Sequence, residues 1–184
     1  MKRALALALV SALSVAGCAQ QATPLRAEPT YQEAANAPLL QSSRDAVGRL
    51  MAGLDLAATG PGPALVATVV NVNDLSRSAP LGRTLSEQYA NHMAALGFDV
   101  KEIKLRGDVF VKEGAGELLL SREIKDIARH HNASMVLVGT YSPAANFTYV
   151  SMKLVRTEDS RIIRGHDYAL PNDRDVQRLL VQPR

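Results

Sequence analysis

Aromatic residues are scarce in this 184-residue chain, which has no tryptophan, three phenylalanines and five tyrosines. A hydrophobic core must therefore consist mainly of Val, Leu, Ile, Met and Ala. Sites for nucleobases, and many sites for sugars, depend on aromatic stacking, so the composition argues against both. Hydrophobic residues still make up 47% of the chain, which is ordinary for a globular protein.

The chain has a single cysteine, Cys18. An intramolecular disulfide needs a second cysteine, and a structural zinc site usually needs several thiolates. The remainder of the chain therefore has neither, and Cys18 requires an explanation of its own.

A large excess of positive charge is also missing. The chain has 21 basic and 18 acidic residues, and two of the basic ones, Lys2 and Arg3, lie in an amino-terminal segment that we expect to be removed. The mature chain would then carry a net charge of about +1 with no long basic block. This charge predicts no binding of nucleic acid.

Signatures of catalytic and nucleotide-binding sites are absent from the sequence. No Gly-x-Ser-x-Gly or Ser-x-x-Lys motif occurs, and the pair Gly114 and Gly116 lacks the third glycine of a dinucleotide-binding turn. His130 and His131 are neighbours, so on a helix they point about 100° apart and are poorly placed to share a metal ion. The sequence therefore shows no familiar catalytic motif, and we predict that the protein binds no cofactor or metal.

The amino-terminal segment is typical of an export signal. Lys2 and Arg3 precede an apolar run from Ala4 to Leu13, which is too short for a membrane-spanning helix. The run ends in Val15-Ala16-Gly17-Cys18, which resembles the lipobox of bacterial lipoproteins. This resemblance implies cleavage after Gly17, which makes residues 1–17 a signal peptide, and lipid attachment at Cys18.

The lipid on Cys18 predicts how the protein meets its membrane. Several acyl chains on one residue give a stable anchor. Ala19 follows the cysteine, and the absence of aspartate there resembles an outer-membrane sorting signal. Residues 18–40 are rich in Gln, Thr, Pro, Glu and Asn, so we interpret them as a flexible tether for a periplasm-facing domain over residues 41–184.

Hydrophobic periodicity predicts a single α/β (α+β) domain. Helices are expected at Ser42–Leu56, from Pro80 to Gly97, at Ser121–His131, and near the carboxyl terminus around Val176 and Leu179. Strands are expected at 65–70, 98–105, 135–141, 147–155 and 162–170, with a small extra strand at 109–111 and a bulge between Val100 and Ile103. The order indicates a mixed sheet of about five strands, in which two βα crossovers precede an antiparallel meander and helices pack on the sheet.

One loop is a candidate site for a ligand or a partner protein. Asn71, Asn73 and Asp74 follow the first strand and precede a helix, which is where α/β sheets commonly place their ligands. Short Asn and Asp side chains also stabilise turns and cap helices, so a structural role is an equally good interpretation.

Several segments resemble the FlgO-domain family of outer-membrane or periplasm-facing lipoproteins. The more specific are Gly116-Glu117-Leu118-Leu119-Leu120-Ser121-Arg122 and Val138-Gly139-Thr140-Tyr141. The others are Val69–Leu75, Ala79–Arg83, Leu85–Gln88 and Gly97–Val100, and the resemblance covers roughly Ser43 to Pro171. It implies a non-enzymatic structural or accessory role in the cell envelope, in some members at the flagellum, with no catalytic residues to carry over.

The expected partners follow from the anchor and from this resemblance. We expect the membrane, through lipid on Cys18, and envelope or flagellar basal-body proteins, with a homo-oligomer as a further possibility. Two alternatives stay open: a lipoprotein activator or adaptor of a peptidoglycan synthase or secretion complex, and a periplasmic domain that binds a small ligand.

Overall fold

The computed structural model describes residues 28–55, 59–103, 110–113, 117–120 and 122–181. The predicted signal peptide and Cys18 lie outside these residues. The chain divides into two compact units, residues 1–34 and residues 35–184. Within the described ranges, no helix has both the length and the apolar character needed to cross a membrane.

A short helix, α1 (Tyr31–Ala35), lies in the segment predicted to be a tether. It starts with a reciprocal cap: the Glu33 N–H donates to Thr30 Oγ1 at 3.2 Å, and the Thr30 N–H donates to Glu33 Oε2 at 2.7 Å. The hydrogen bonds from Thr30 hold the pKa of Glu33 below its usual value. Part of the predicted tether is therefore locally structured.

The described part of residues 35–184 contains a six-stranded sheet, a two-stranded sheet and four further helices. The helices are α2 (Pro38–Met51), α3 (Pro80–Ala95), α4 (Arg122–His130) and α5 (Arg174–Leu180). The strands are β1 (Ala64–Ala67), β2 (Val70–Asn71), β3 (Val100–Ile103), β4 (Phe110–Glu113), β5 (Glu117–Leu120), β6 (Met135–Pro143), β7 (Phe147–Arg156) and β8 (Ile162–Pro171).

The main sheet has the order β3-β1-β6-β7-β8, and β2 pairs with β6 further along. The pairs β1·β3, β1·β6 and β2·β6 are parallel, whereas β6·β7 and β7·β8 are antiparallel. The predicted mixed sheet with a closing antiparallel meander is confirmed. It has six strands rather than about five, because the first predicted strand is split into β1 and β2.

The two faces of the sheet are covered by different helices. On one face, which we call the α2–α3 face, Val66, Leu137 and Met152 pack against Leu50 of α2 and Leu85 of α3. On the opposite face, the α4 face, Ala128 packs against a smaller buried cluster formed by Leu65, Ala67, Val70, Val136, Val138 and Val155. Strands β1 and β6 lie in the middle and are buried on both faces, as their continuous apolar runs predict.

The helix predicted at Ser42–Leu56 begins and ends earlier than expected. It starts at Pro38, because proline fits the first helical position, where its missing N–H is not needed. It stops at Met51, and Gly53 follows with a φ of +69°. Ser43 therefore lies inside the helix, and Val47, Leu50 and Met51 are buried on its inner side.

One smaller expectation about the strands is wrong, one is confirmed, and one strand was not predicted. The predicted bulge between Val100 and Ile103 is absent, since these residues pair in regular register with Ala64 to Ala67. A register shift lies instead at Leu154/Val155 in the β7·β8 pair. The extra strand near Phe110 is confirmed as β4, and it pairs with β5, a strand that the sequence did not indicate.

Candidate functional site

The turn predicted as a candidate site follows β2 and is held together by its own side chains. Asn71 Oδ1 accepts a hydrogen bond from the Asn73 N–H at 2.9 Å. Asp74 Oδ1 accepts from both the N–H and the hydroxyl of Ser76, at 3.2 and 2.6 Å. Asp74 Oδ2 lies 3.8 Å from Arg77 Nε. These contacts stabilise the turn itself and account for Asn71 and Asp74 without a ligand, so ligand binding here stays a prediction.

Backbone hydrogen bonds fix this turn to the sheet and to α3. The Val72 N–H donates to the Tyr141 carbonyl at 2.9 Å, and the Asn71 N–H donates to the Arg77 carbonyl at 2.9 Å. The buried Tyr141 hydroxyl accepts from the Ala79 N–H at 2.9 Å, immediately before α3 begins. The turn is therefore positioned from both sides, and Val72 is presented at the surface with 42% of its area exposed.

A shallow cleft of about 550 Å³ lies beside Val72 on the outer side of the meander. We call it the meander cleft. Its lining includes the side chains of Val72, Thr140, Ser142, Tyr149, Ser151 and Asp167. Each antiparallel strand of the meander contributes to it. Sequence reasoning did not find this cleft, because its residues are spread over β6, β7 and β8.

A second cluster of polar side chains lies between α2 and α3. The Ser43 hydroxyl is fully buried, donates to Gln88 Oε1 at 2.6 Å and lies 3.5 Å from His92 Nε2. Burial lowers the pKa of His92, and the nearby Arg44 lowers it further. Ser43 also bonds the Leu40 carbonyl within α2, while its bond to Gln88 links α2 to α3, so its hydroxyl is engaged in contacts within and between these helices.

A buried pair of tyrosines connects α3 with β8. The hydroxyls of Tyr89 and Tyr168 are hydrogen-bonded at 2.5 Å. Burial raises the pKa of Tyr168 to about 12 and raises the pKa of Tyr89 well above its usual value of 10. Both hydroxyls therefore stay protonated near neutral pH, which fits a structural hydrogen bond rather than proton transfer.

The remaining histidines do not form a metal centre in the part of the chain that the structure describes. His130 and His131 contact each other edge to face, with ring centroids 5.5 Å apart, and His166 stacks on Tyr168. Across the described residues, no three His, Cys, Asp or Glu side chains are grouped to hold a metal ion. Cys18, the predicted lipidation site, lies outside those residues.

Comparison with solved structures places this fold in a class of small mixed α/β domains. The LpoB C-terminal domain from Salmonella enterica superposes with a TM-score of 0.51 at 14% sequence identity, covering 72% of this chain and 98% of that domain. The LpoB C-terminal domain from Escherichia coli gives a TM-score of 0.48 at 19% identity, with the same coverage of 72% and 98%. At these identities the likeness concerns the fold alone.

A family model identifies the chain more closely. The model described as FlgO protein matches residues 44–175, which include the turn after β2 and the whole meander. The chain belongs to the FlgO family, as the sequence resemblance predicted. No curated protein sequence matches it.

Proposed function

We propose that this protein is an outer-membrane lipoprotein, anchored through Cys18, with a non-enzymatic accessory role at the flagellum. Residues 41–184 would form a periplasm-facing domain that binds envelope proteins, and residues 18–40 would connect this domain to the lipid. The observation that carries the proposal is the FlgO family match over residues 44–175.

The fold and the arrangement of side chains agree with an accessory role. The domain shares its fold with the C-terminal domain of LpoB. The buried polar groups that resemble catalytic residues, such as Ser43 and Tyr168, are used in contacts between elements. The surface features are a fixed turn and a shallow cleft, which suit a protein partner better than an enclosed substrate.

The anchor is supported by the order of residues at the amino terminus. A positive start, a short apolar run and the small residues Ala16 and Gly17 before Cys18 are typical of lipoprotein signals. A lipid anchor would hold the domain at the envelope without a membrane-spanning helix.

A pull-down from detergent-solubilised envelope tests the proposal. The wild type is compared with Cys18→Ser, which removes the thiol to be acylated, and with Ser14→Ala, a control that leaves the cysteine and the adjacent small residues intact. We expect the wild type and Ser14→Ala to recover flagellar basal-body proteins, and Cys18→Ser to lose them. Recovery of these proteins by all three variants would contradict a role that depends on the anchor.

The same experiment separates the main alternative. Recovery of a peptidoglycan synthase or of secretion-channel components in place of flagellar proteins would assign the chain to an activator or adaptor of those complexes. If no protein is recovered by any variant, the accessory role is wrong.

A further inference from the structure

Among the described residues, α4 covers only part of the α4 face of the sheet. On β6, Val136 and Val138 point towards this face and are buried in the cluster beneath α4. Two and four residues further along the same strand, Thr140 and Ser142 occupy the same face. No element among the described residues is packed over these hydroxyls, and they line the meander cleft. The sequence changes from valine to hydroxyl residues where the cover ends.

The cleft side chains form a regular grid. Thr140 pairs with Ser151, and Ser151 pairs with Asp167, so these three form one row across the strands. Ser142 pairs with Tyr149, which lies in the next row. Neighbours in a row are about 4.8 Å apart, and the rows are about 6.8 Å apart. The Asp167 carboxylate and the Tyr149 ring are therefore diagonal neighbours on one surface.

The polar groups of this grid are unused within the described chain. The side chains of Thr140, Ser142, Ser151 and Asp167 make no hydrogen bond or ion pair with other described residues. Three other exposed aspartates, Asp74, Asp126 and Asp159, each pair with an arginine three residues away. Asp167 forms no such pair, and it lies where the meander cleft meets a smaller cleft that Arg49 of α2 also lines.

The charge of the cleft is negative, and its border is apolar. None of its lining residues is a lysine or an arginine. The nearest basic residue along β7 is Lys153, which lies one row further towards α4 and forms no ion pair with Asp167. Exposed apolar side chains lie in and beside the cleft: Tyr149 and Val72 line it and are 56% and 42% exposed, and Phe147, two residues before Tyr149 on β7, is 45% exposed. Exposed aromatic residues next to polar groups are typical of the centre of a protein interface.

We propose that the meander cleft binds an arginine-bearing segment of a partner protein. A guanidinium group can donate a bidentate hydrogen bond to the Asp167 carboxylate while its flat face lies on the Tyr149 ring. The hydroxyl of Ser151, the neighbour of Asp167 in its row, is placed to accept one of its remaining N–H groups. Apolar side chains beside the arginine would cover Val72 and Phe147.

This inference rests on the proposed accessory function and names the surface through which it would operate. Charge complementarity decides the kind of partner. An anionic lipid headgroup or a nucleic acid would be repelled by Asp167, and a second copy of this chain would need an exposed arginine aligned with the same cleft.

Photo-crosslinking in cells with the full-length chain tests the proposal. A photoreactive phenylalanine derivative replaces Ala169, which lines the cleft but makes none of the proposed contacts, and in a matched control it replaces the exposed Lys101 on edge strand β3. We expect a cross-link from position 169 to one envelope protein and none from position 101. Asp167→Lys should lower the yield at least about fivefold, since a charge-assisted hydrogen bond becomes a repulsion. Asp167→Glu should largely retain it.

A reciprocal change completes the test. Peptide mapping of the cross-linked partner should find an arginine at the contact. Changing that arginine to aspartate should restore the cross-linking yield of the Asp167→Lys variant. An unchanged yield with Asp167→Lys, a cross-link to a second copy of this chain or to glycan, or no cross-link would overturn the inference. Loss of membrane attachment or of the envelope pull-down in the unmodified wild type would instead show that the proposed function has failed.

Discussion

Gly82 lies in the first turn of α3, in close contact with Val69, which connects β1 to β2. A Cβ atom at this position would overlap the Val69 carbonyl oxygen and the Ser78 hydroxyl. The Ser78 hydroxyl donates to that same carbonyl at 2.7 Å, so neither neighbour can move freely. The absence of a side chain at residue 82 is therefore a packing requirement.

The first prediction concerns this position. Gly82→Ala should lower the free energy of unfolding by about 3 kcal/mol, because α3 must move away from the sheet. Gly48→Ala is the matched control, since Gly48 is exposed in α2 and a Cβ atom added there would have no neighbour within 4 Å. That change should stabilise the protein by about 0.5–1 kcal/mol. Urea titration measures both, and equal effects would refute the packing argument.

A second prediction follows from the pair Tyr89 and Tyr168. Their raised pKa values mean that the folded state holds both protons more tightly than the unfolded state. Stability should be complete below pH 10 and should fall as the pH rises towards the folded pKa of about 12. Chemical unfolding at increasing alkaline pH measures this loss.

The control for the alkaline prediction removes both titrating groups. The double variant Tyr89→Phe with Tyr168→Phe should flatten the alkaline pH dependence of stability. Tyr168→Phe alone should also destabilise the protein at neutral pH by about 1–3 kcal/mol, because the buried Tyr89 hydroxyl loses its partner. A double variant that keeps the wild-type alkaline profile would assign the loss to other groups.

At the scale of single residues, sequence reasoning identified the turn but not its chemistry. Asn71 and Asp74 were found because they follow a strand and precede a helix, which is local information. Their use in the turn depends on Ser76 and Arg77, which are also local, whereas Tyr141 approaches from a distant strand. The meander cleft escaped notice since Thr140, Ser151 and Asp167 become neighbours only through strand pairing.

At the scale of secondary-structure elements, the contact between α2 and α3 contains an ionisable residue. His92 lies beside Ser43 and near Arg44, and its pKa is lowered by burial and then by the charge of Arg44. The folded state therefore disfavours the protonated imidazole. Packing of the two helices should be sensitive to acid.

The third prediction is the direction of this sensitivity. Stability should be fully present above the ordinary histidine pKa of 6.5 and should be lost as the pH falls through the lowered value. His92→Gln should remove this part of the pH dependence. Thermal melts of both proteins across mildly acidic pH values measure the difference, and parallel curves would exclude His92 as the cause.

The elements that were predicted well are those defined by local patterns. The meander has three strands joined by short connections, and α3 has a proline at its start and buried side chains at helical spacing, Leu81, Leu85, Tyr89 and Met93. Leu96, the next residue at helical spacing, is 48% exposed because the helix has already ended. The residues at which helices begin and end are set by capping geometry more than by hydrophobic periodicity.

The elements that were missed depend on distant contacts. The first strand divides at Thr68 and Val69, because the Val69 carbonyl accepts a hydrogen bond from Ser78 and no longer serves the ladder. Strand β5 contains Leu118, Leu119 and Leu120, a short apolar run that suits a helix or a strand equally well. Only its pairing with β4 decides between them.

At the scale of the whole molecule, the proposed anchor and sorting signal can be separated. The fourth prediction is that Ala19→Asp keeps the lipid on Cys18 but moves the protein to the inner membrane, because it creates the aspartate that retains lipoproteins there. Ala19→Ser, the control, should stay in the outer membrane. Separation of the two membranes by density gradient measures the distribution.

The localisation prediction has a clear contrary result. If Ala19→Asp and Ala19→Ser distribute alike, the residue after Cys18 does not sort this protein. If Cys18→Ser is still recovered with membranes, lipid is not its anchor.

The placement of β1 at the centre of the sheet has a consequence for biogenesis. Leu65 and Val66 are fully buried, yet β1 finds its hydrogen-bonding partners only in β3 and in β6, which come much later in the chain. A chain that emerges amino-terminus first would therefore present an apolar strand with two open edges until β3 has appeared, and with one open edge until Met135 has appeared. During that interval a chaperone would have to shield β1 from aggregation. A product truncated before β6 would keep an unpaired edge of β1 and would stay prone to aggregation.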